Sequence, residues 1–407
     1  VPGVGSVQTD QLADDAVTAD KLANSINTEI AANTAKVTNA THTGDVTGAT
    51  ALTIAVDAVD IPMLSATGTA SSSTFLRGDN AWAEGSPKPN FLLNSTFEVA
   101  QRGTSFTPTT GSGASLMYTL DRWYGYRSNS TAIMQQISDG SSPDGFRCHA
   151  RMGRTDSTTD AGYFIIGQQI ETKNACALAG QTVCLSMWVK KHANFSGDWG
   201  IYATTGTGSD QSAWDSIGGG WTGGASAYSN TTVLSDVTTS WVRRSISFSI
   251  ASGVKEIAIK NHFSSFSGSS VTNDYVEVAG VQLEIGSVAT PFEHKPYGQE
   301  LAACQRYFQI PYNWWAHSDG GTATAWKFFH DFPVEMRAAP TLAAVGTPTV
   351  NKMNANAAGP NSIATPGTAN KYGFQLSFTT MATGSGSAAA TNTPYQGYSG
   401  FTADAEL

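Results

Sequence analysis

Charged residues are scarce in this chain of 407 residues. Only 14% of its residues are Asp, Glu, Lys or Arg, whereas an average soluble domain contains ~25%. Lys and Arg together number 23 and Asp and Glu number 32, so the formal net charge is −9. Because binding to a phosphate backbone requires a basic excess, this balance argues against nucleic acid as a partner.

Cysteine and long apolar segments are also lacking. The four cysteines, Cys148, Cys176, Cys184 and Cys304, have neither Cys-x-x-Cys spacing nor the density of a disulfide scaffold. A Cys176–Cys184 bridge is conceivable, but buried free thiols fit better. No apolar run approaches the ~18 residues of a membrane-spanning helix. The sequence therefore predicts no membrane insertion.

The first 40 residues contain a ten-residue repeat followed by heptad-like spacing. Residues 7–16 and 17–26 share Val, Asp, Leu and Ala in register, and such sparse apolar positions cannot close a core within one chain. From Ile26 the spacing predicts a helix over about 25–40 in a short trimeric coiled coil, with polar Asn33 fixing the register. A lone amphipathic helix lying on a domain is the alternative. The predicted trimer contacts are Leu12, Val17, Leu22, Ile26, Ile30, Asn33 and Val37.

Composition divides the rest of the chain into three segments. Residues 41–88 are rich in Thr, Ala and Gly and predict a stalk in which three chains interweave. Residues 89–297 alternate apolar and polar side chains, which predicts a jelly-roll-like antiparallel β-sandwich with a bulge at Ala279 and Gly280. Residues 298–407 begin with a helical link at 299–308 and predict a smaller C-terminal β-domain. The expected fold class is mostly β, preceded by a fibrous stem.

Two aromatic clusters are candidate ligand sites. Sugars present apolar C–H faces that stack on aromatic rings, while nearby polar groups bind their hydroxyls. One cluster lies in a Gly-rich stretch around 199–228, and the other combines residues 314–317 with a loop near 395–398. Packing within the fold or between subunits is the competing explanation for both. The candidate glycan-binding residues are Trp214, Trp221 and Tyr228, and Trp314, Trp315, His317, Tyr395 and Tyr398.

No catalytic or metal-binding constellation stands out. Paired carboxylates for glycoside cleavage would have to come from residues scattered along the chain, and no Gly-x-Ser-x-Gly elbow accompanies the seven histidines. His317 and His330 do not have the spacing of metal ligands. The sequence predicts no catalytic residue, no metal and no cofactor. The scattered carboxylates are Asp198, Asp210, Asp215, Asp274 and Glu293.

Several segments together resemble bacteriophage tail fibre proteins. They are the decapeptide repeats and residues 74–82, 90–103, 118–123, 281–294 and 332–340. The resemblance implies a homotrimeric virion tail appendage, extracellular when functional, with a fibrous stem and carbohydrate-binding-module-like heads. Other virion tail or baseplate proteins and a bacterial surface polysaccharide are the partners it implies, and residues 298–407 would form the distal tip. The alternatives are a head, collar or whisker fibre, and a polysaccharide-depolymerising tailspike.

Overall fold

The computed structural model describes residues 24–37, 46–47, 53–54, 65–71, 74–107, 114–128, 132–154, 162–230, 237–264, 273–311, 314–316, 326–345, 349–352, 365–378, 395–398 and 401–407. The chain divides into two compact units, Val1–Glu84 and Gly85–Leu407. Each unit is described by itself.

Among its described residues, the N-terminal unit has one helix and two short antiparallel strand pairs. Helix α1 spans Asn24–Val37, β1 (Val46–Thr47) pairs with β2 (Thr53–Ile54), and β3 (Thr74–Leu76) pairs with β4 (Trp82–Glu84). The predicted helix over 25–40 is thus found with slightly different ends. Ile26, Ile30 and Asn33 are exposed on the single chain.

The coiled-coil contacts of α1 stay a prediction. Exposed isoleucines one helical turn apart are what an unpaired coiled-coil helix would show, but no partner chain is present. Val37 ends the helix. The repeat residues Leu12, Val17 and Leu22 lie outside the described residues, and so do residues 41–45, 48–52, 55–64 and 72–73 of the predicted interwoven stalk.

The second unit begins with two six-stranded antiparallel sheets. The front sheet has the order β13-β12-β15-β10-β7-β6 and the back sheet the order β14-β11-β16-β9-β8-β5. The helices α2 (Thr172–Ala175) and α3 (Ala213–Gly218) lie in the connections. The strands are β5 (Ser105–Phe106), β6 (Ala114–Tyr118), β7 (Tyr124–Ser128), β8 (Ala132–Ile137), β9 (His149–Arg154), β10 (Tyr163–Ile170), β11 (Thr182–Lys191), β12 (Asp198–Gly206), β13 (Ala225–Asn230), β14 (Val242–Ser249), β15 (Glu256–Ser264) and β16 (Tyr275–Ile285).

The core lies between the two sheets, as the period-two alternation predicts. Phe164 and Ile259 of the front sheet and Leu185 and Val278 of the back sheet belong to one buried cluster. The predicted bulge is confirmed, because the β11–β16 register shifts at this point and Gly280 has a φ of 57°. The chain is therefore mostly β, with antiparallel sheets in a sandwich.

The part of the chain after 296 that the structure describes forms one helix and three small sheets. The sheets are three-stranded, with orders β17-β25-β20, β18-β24-β21 and β19-β23-β22. The elements are α4 (Tyr297–Gln305), β17 (Phe308–Gln309), β18 (Trp314–Ala316), β19 (Trp326–Asp331), β20 (Thr341–Ala344), β21 (Thr349–Lys352), β22 (Thr365–Asn370), β23 (Gly373–Phe378), β24 (Tyr395–Tyr398) and β25 (Phe401–Asp404).

Buried ion pairs fasten this C-terminal part to the sandwich. Arg306 Nη2 lies 2.7 Å from Glu171 Oε1, and the Tyr307 hydroxyl donates to the same carboxylate at 2.9 Å. Arg122 pairs with Glu406, and its guanidinium lies 3.5 Å from the centre of the Tyr307 ring. The Arg122–Glu406 pair is fully buried, and separating charges so deeply buried is costly, so this pair in particular joins the two parts. The boundary at 297 and the distal position of the C-terminal part stay predictions.

The cysteines are free thiols, as the sequence analysis favours, but one of them is not buried as expected. All four cysteines are free thiols; three are buried and Cys176 is exposed. Among the described residues, the helices are all too short or too polar to cross a bilayer.

Candidate functional site

A row of five rings crosses the outer surface of the front sheet. We call Trp214, Tyr126, Tyr163, His262 and Tyr202 the aromatic face. Consecutive ring centres in this order lie 5.7, 5.9, 5.0 and 5.0 Å apart. The Trp214–Tyr126 contact is edge-to-face, whereas Tyr163 and His262 are stacked with an interplanar angle of 28°.

Strand register places four of these rings on one surface. Ile165 of β10 pairs with both Tyr126 of β7 and His262 of β15, and Tyr202 of β12 pairs with Lys260 of β15. Paired residues in antiparallel strands project to the same face of a sheet. The intervening residues Phe164, Trp199 and Phe263 point into the core. The sandwich therefore requires the rings to lie on its outside.

Helix α3 supplies the fifth ring. Its N-cap Ser212 accepts a hydrogen bond from the Asp215 amide at 3.2 Å and donates to the Asp215 carboxylate at 2.8 Å. Gly219 ends the helix in the left-handed conformation, with φ 76°. Ala213 packs against Tyr126 below, while neighbouring Trp214 is 46% exposed. The short helix thus holds an indole over the end of the ring row.

Lys260 holds the other end of α3 from beneath. Its ammonium donates a 2.8 Å hydrogen bond to the Ser216 carbonyl. Burial lowers the pKa of Lys260 to about 8. Burying the charge of a lysine has a cost in free energy. The hydrogen bond from Lys260 to α3 offsets part of that cost and fixes the helix to the sheet.

The aromatic face is uncharged at neutral pH. Burial, followed by the nearby Lys260, lowers the pKa of His262, so that its imidazole is neutral. Burial, followed by Tyr163, raises the pKa of Tyr126 to about 12, so that its hydroxyl stays protonated. Neutral imidazole and phenol groups can both donate and accept hydrogen bonds. The surface thus offers partly exposed apolar rings, two of which stack on each other, together with adaptable polar atoms.

The dimensions suit an extended ligand. β7 and β12 are separated by three strand spacings of ~4.8 Å each, which gives ~14 Å across the sheet. Tyr163, Tyr202 and His262 are partly exposed along this distance, and Trp214 lies beyond Tyr126. A row of partly exposed rings with this spacing can contact successive apolar C–H groups along a chain of sugar units.

The first predicted cluster is divided by the structure. Trp214 lies on the aromatic face, but Trp221 is only 3% exposed, and its indole nitrogen donates to the Ser212 carbonyl at 3.0 Å. Tyr228 lies against Phe248 with ring centres 5.5 Å apart, next to the core. Trp199 is likewise buried in the core. For these three residues the geometry matches the packing alternative.

The second predicted cluster is described only by its backbone. β18 pairs with β24, so that Trp314 is opposite Gly397 and Trp315 is opposite Gln396. The segments that contain Trp314 and Trp315 and those that contain Tyr395 and Tyr398 are therefore neighbours in one sheet. His317 lies outside the described residues. A ligand role for this cluster stays a prediction.

Four of the scattered carboxylates have structural partners. Asp274 pairs with Arg154 at 2.7 Å in the interior, Asp210 accepts from the Thr172 amide at 2.9 Å, and Glu293 accepts from the Asn90 amide at 2.6 Å. Asp215 belongs to the α3 cap, and Asp198 begins β12. Within the described part of the chain, no cluster of three or more potential metal ligands occurs.

Sequence reasoning missed four members of the aromatic face. Tyr126, Tyr163, Tyr202 and His262 come from separate strands and are far apart in the sequence. Each is an aromatic residue at an outward position of a strand whose alternate residues are apolar, as in Phe164 and Ile166 on either side of Ile165. That alternation is the signal that could have found them.

Comparisons with known proteins give only distant structural similarity. No known family profile matches the chain, and no curated protein matches its sequence. The enzymatically active domain of tailspike protein 4 of bacteriophage CBA120 aligns with 48% of this chain and 21% of its own, at 12% identity and a TM-score of 0.30. The CBM22-1 xylan-binding domain of Paenibacillus barcinonensis Xyn10C aligns with 50% of this chain and 99% of its own, at 10% identity and a TM-score of 0.27. A Stig cyclase from Fischerella sp. TAU aligns with 50% of this chain and 100% of its own, at 12% identity and a TM-score of 0.33.

Proposed function

We propose that this protein is a trimeric tail fibre of a bacteriophage that attaches the virion to a polysaccharide on the host cell surface. The fibre assignment is supported by the tail-fibre-like segments of the sequence. The binding assignment is supported by one structural observation, the aromatic face. The protein acts as a binding protein rather than an enzyme, outside the host cell and as part of the virion.

The aromatic face carries the binding proposal because its rings are more numerous and more accessible than packing requires. The sandwich core is already closed on the other side of the front sheet by Phe164, Trp199 and Phe263. On the outer side Tyr163 packs against a small second cluster that contains Tyr126 and Ala213, whereas Trp214 is 46% exposed and Tyr202 and His262 are partly exposed. Aromatic rings spaced along a sheet, with neutral polar atoms between them, match the alternating apolar and hydroxyl surfaces of an uncharged glycan.

The proposed trimer makes a weak site sufficient. Each stacking ring contributes on the order of 1 kcal/mol, so one face binds a glycan weakly. Three faces on one stem can bind a repetitive polysaccharide together, and linked sites gain ~10²-fold or more in apparent affinity. Exposed Ile26 and Ile30 on α1 would form the seam of that stem.

An array of purified bacterial capsules and O-antigen polysaccharides tests the proposal. The parent protein should bind at least one polysaccharide. Tyr163→Ala and Tyr202→Ala each remove one ring and should weaken that binding about fivefold, because ~1 kcal/mol corresponds to this factor. Tyr297→Ala is the matched control, since Tyr297 is also exposed and lies in α4, outside the aromatic face.

The outcomes separate binding from catalysis. Undiminished binding by both face variants would refute the site, and absence of binding to the whole array would refute the function. Shortened polysaccharide fragments after incubation would show that the chain is a depolymerase.

A further inference from the structure

A second concave site lies at the hairpin formed by β22 and β23. It is a cleft of about 220 Å³ between the end of β19 and this hairpin. Its described lining is His330, Asp331, Thr368, Asn370, Tyr372, Gly373, Phe374 and Gln375. None of these residues belongs to the aromatic face.

The cleft has a rigid framework. At the hairpin turn, Asn370 Oδ1 accepts hydrogen bonds from the amides of Tyr372 at 2.8 Å and Gly373 at 3.1 Å. The carbonyl oxygens of Lys371 and Tyr372 accept from the amides of Met336 and Phe332, both at 2.8 Å. The turn is thus bound to a neighbouring segment as well as to itself. A preformed site loses little affinity to ordering when a ligand binds.

Close backbone packing forms part of the cleft wall. A Cβ atom at Gly373 would lie 2.3 Å from the His330 carbonyl oxygen, a distance at which the strands could not pair as they do. The His330 ring packs against Phe374, with ring centres 5.2 Å apart. Burial lowers the pKa of His330, so its imidazole is neutral at pH 7 and offers one donor and one acceptor.

The lining chemistry restricts the ligand. Asp331 is the one carboxylate among the described lining residues, so a second charged oxygen ligand of the kind that Ca²⁺ sites use is missing there, and the carboxylate disfavours an anion. The Thr368 hydroxyl, the Asn370 amide nitrogen and the Gln375 amide are groups that bind hydroxyls. Tyr372 is 56% exposed at the rim, with the Lys371 ammonium 4.6 Å from the centre of its ring on one face. An aromatic ring beside several neutral hydrogen-bonding groups matches a neutral polyol with one apolar face.

We propose that this cleft binds a single neutral sugar residue. The Asp331 carboxylate accepts hydrogen bonds from its hydroxyl groups, and Tyr372 stacks on its ring. The volume supports one sugar ring rather than an oligosaccharide, because pockets for drug-sized ligands occupy roughly 300–1,000 Å³. The cleft thus differs from the aromatic face, which is long and open. The two sites do not share residues, so one can fail without the other.

Ligand-observed saturation-transfer NMR on the full chain tests this site. The probes are D-glucose, D-galactose, D-mannose, L-rhamnose and N-acetyl-D-glucosamine, each at millimolar concentration. We expect at least one to bind. Asp331→Ala and Tyr372→Ala should each weaken that binding tenfold or more, whereas Tyr372→Phe should retain it because the ring is kept. Both residues are exposed, so the variants should melt like the parent.

Two controls distinguish the cleft from other sites. Tyr297→Ala removes an equally exposed tyrosine, 53% accessible, and should bind the sugar as the parent does. Tyr202→Ala alters the aromatic face and should leave the monosaccharide signal unchanged. The proposal is overturned if no probe binds, if Asp331→Ala and Tyr372→Ala bind normally, or if Tyr202→Ala abolishes the signal.

Discussion

Trp214 and Trp221 are seven residues apart, and their replacement by alanine should have opposite consequences. Trp214 is 46% exposed at the end of the aromatic face, whereas Trp221 is 3% exposed. Trp214→Ala should therefore reduce glycan binding and leave folding almost unchanged. Trp221→Ala should destabilise the protein, and any loss of binding should follow from unfolding.

The magnitudes follow from the contacts of each indole. Truncating a buried Trp to Ala costs about 3–5 kcal/mol. For Trp221 this loss includes the hydrogen bond to the Ser212 carbonyl and contact with Gly206, where a Cβ would lie 3.1 Å from the ring. Trp214 loses one edge-to-face contact with Tyr126, about 0.5–1.5 kcal/mol. In binding, loss of its platform should cost about 1 kcal/mol, or about fivefold in Kd.

Urea denaturation of both variants, followed by binding to an immobilised polysaccharide identified on the array, measures the two effects. The binding assay should be run without urea, at a temperature at which each variant is folded. If Trp221→Ala unfolds at the same urea concentration as the parent but binds less, Trp221 contacts the ligand and its assignment to packing is incorrect. If Trp214→Ala binds like the parent, the aromatic face does not extend over α3.

Three other predictions test the fold and the assembly. In the folded protein the pKa of Lys260 is about 8, below its ordinary 10.5. Between these pH values the unfolded chain binds more protons than the folded chain, so the free energy of unfolding should rise with pH. Lys260→Met should flatten that rise, which urea midpoints measured from pH 7 to 10.5 would show. Asp274→Ala removes the buried partner of Arg154 and should lower the free energy of unfolding by about 3–5 kcal/mol, measurable by urea titration. Light scattering of the intact protein should give three times 42.7 kDa, and a stable monomer would contradict the trimer.

The sandwich could be predicted from the sequence because its signal is local. Val183, Leu185, Met187 and Val189 alternate along one strand, and all four are buried in the core. The bulge was visible for the same reason, since the apolar phase shifts by one residue beside Gly280. Period-two alternation reports directly on which face of a strand is buried.

Alternation along each strand could have marked the single residues of the aromatic face as outward, but their grouping could not be predicted because strand order is not a local signal. Tyr126, Tyr163, His262 and Tyr202 are brought together by pairing of β7, β10, β15 and β12, an order that no single segment of sequence encodes. Sequence reasoning favoured clusters of aromatic residues that are close along the chain. In the Gly-rich stretch this selected Trp221, which Gly206 allows to pack closely and stay buried.

The location of the rings on strands has a consequence for specificity. Their spacing is set by backbone hydrogen bonds and by strand register, and a one-residue slip in any of these strands would turn its ring into the core. The face therefore cannot adjust to a ligand as a loop can, and little conformational entropy is lost when a glycan binds. Under the proposed function, such a surface would select polysaccharides whose apolar faces recur at a matching interval, and sugars that contact only one ring would bind weakly. Selection by repeat spacing is suited to a fibre that must recognise a long surface polymer among many small sugars.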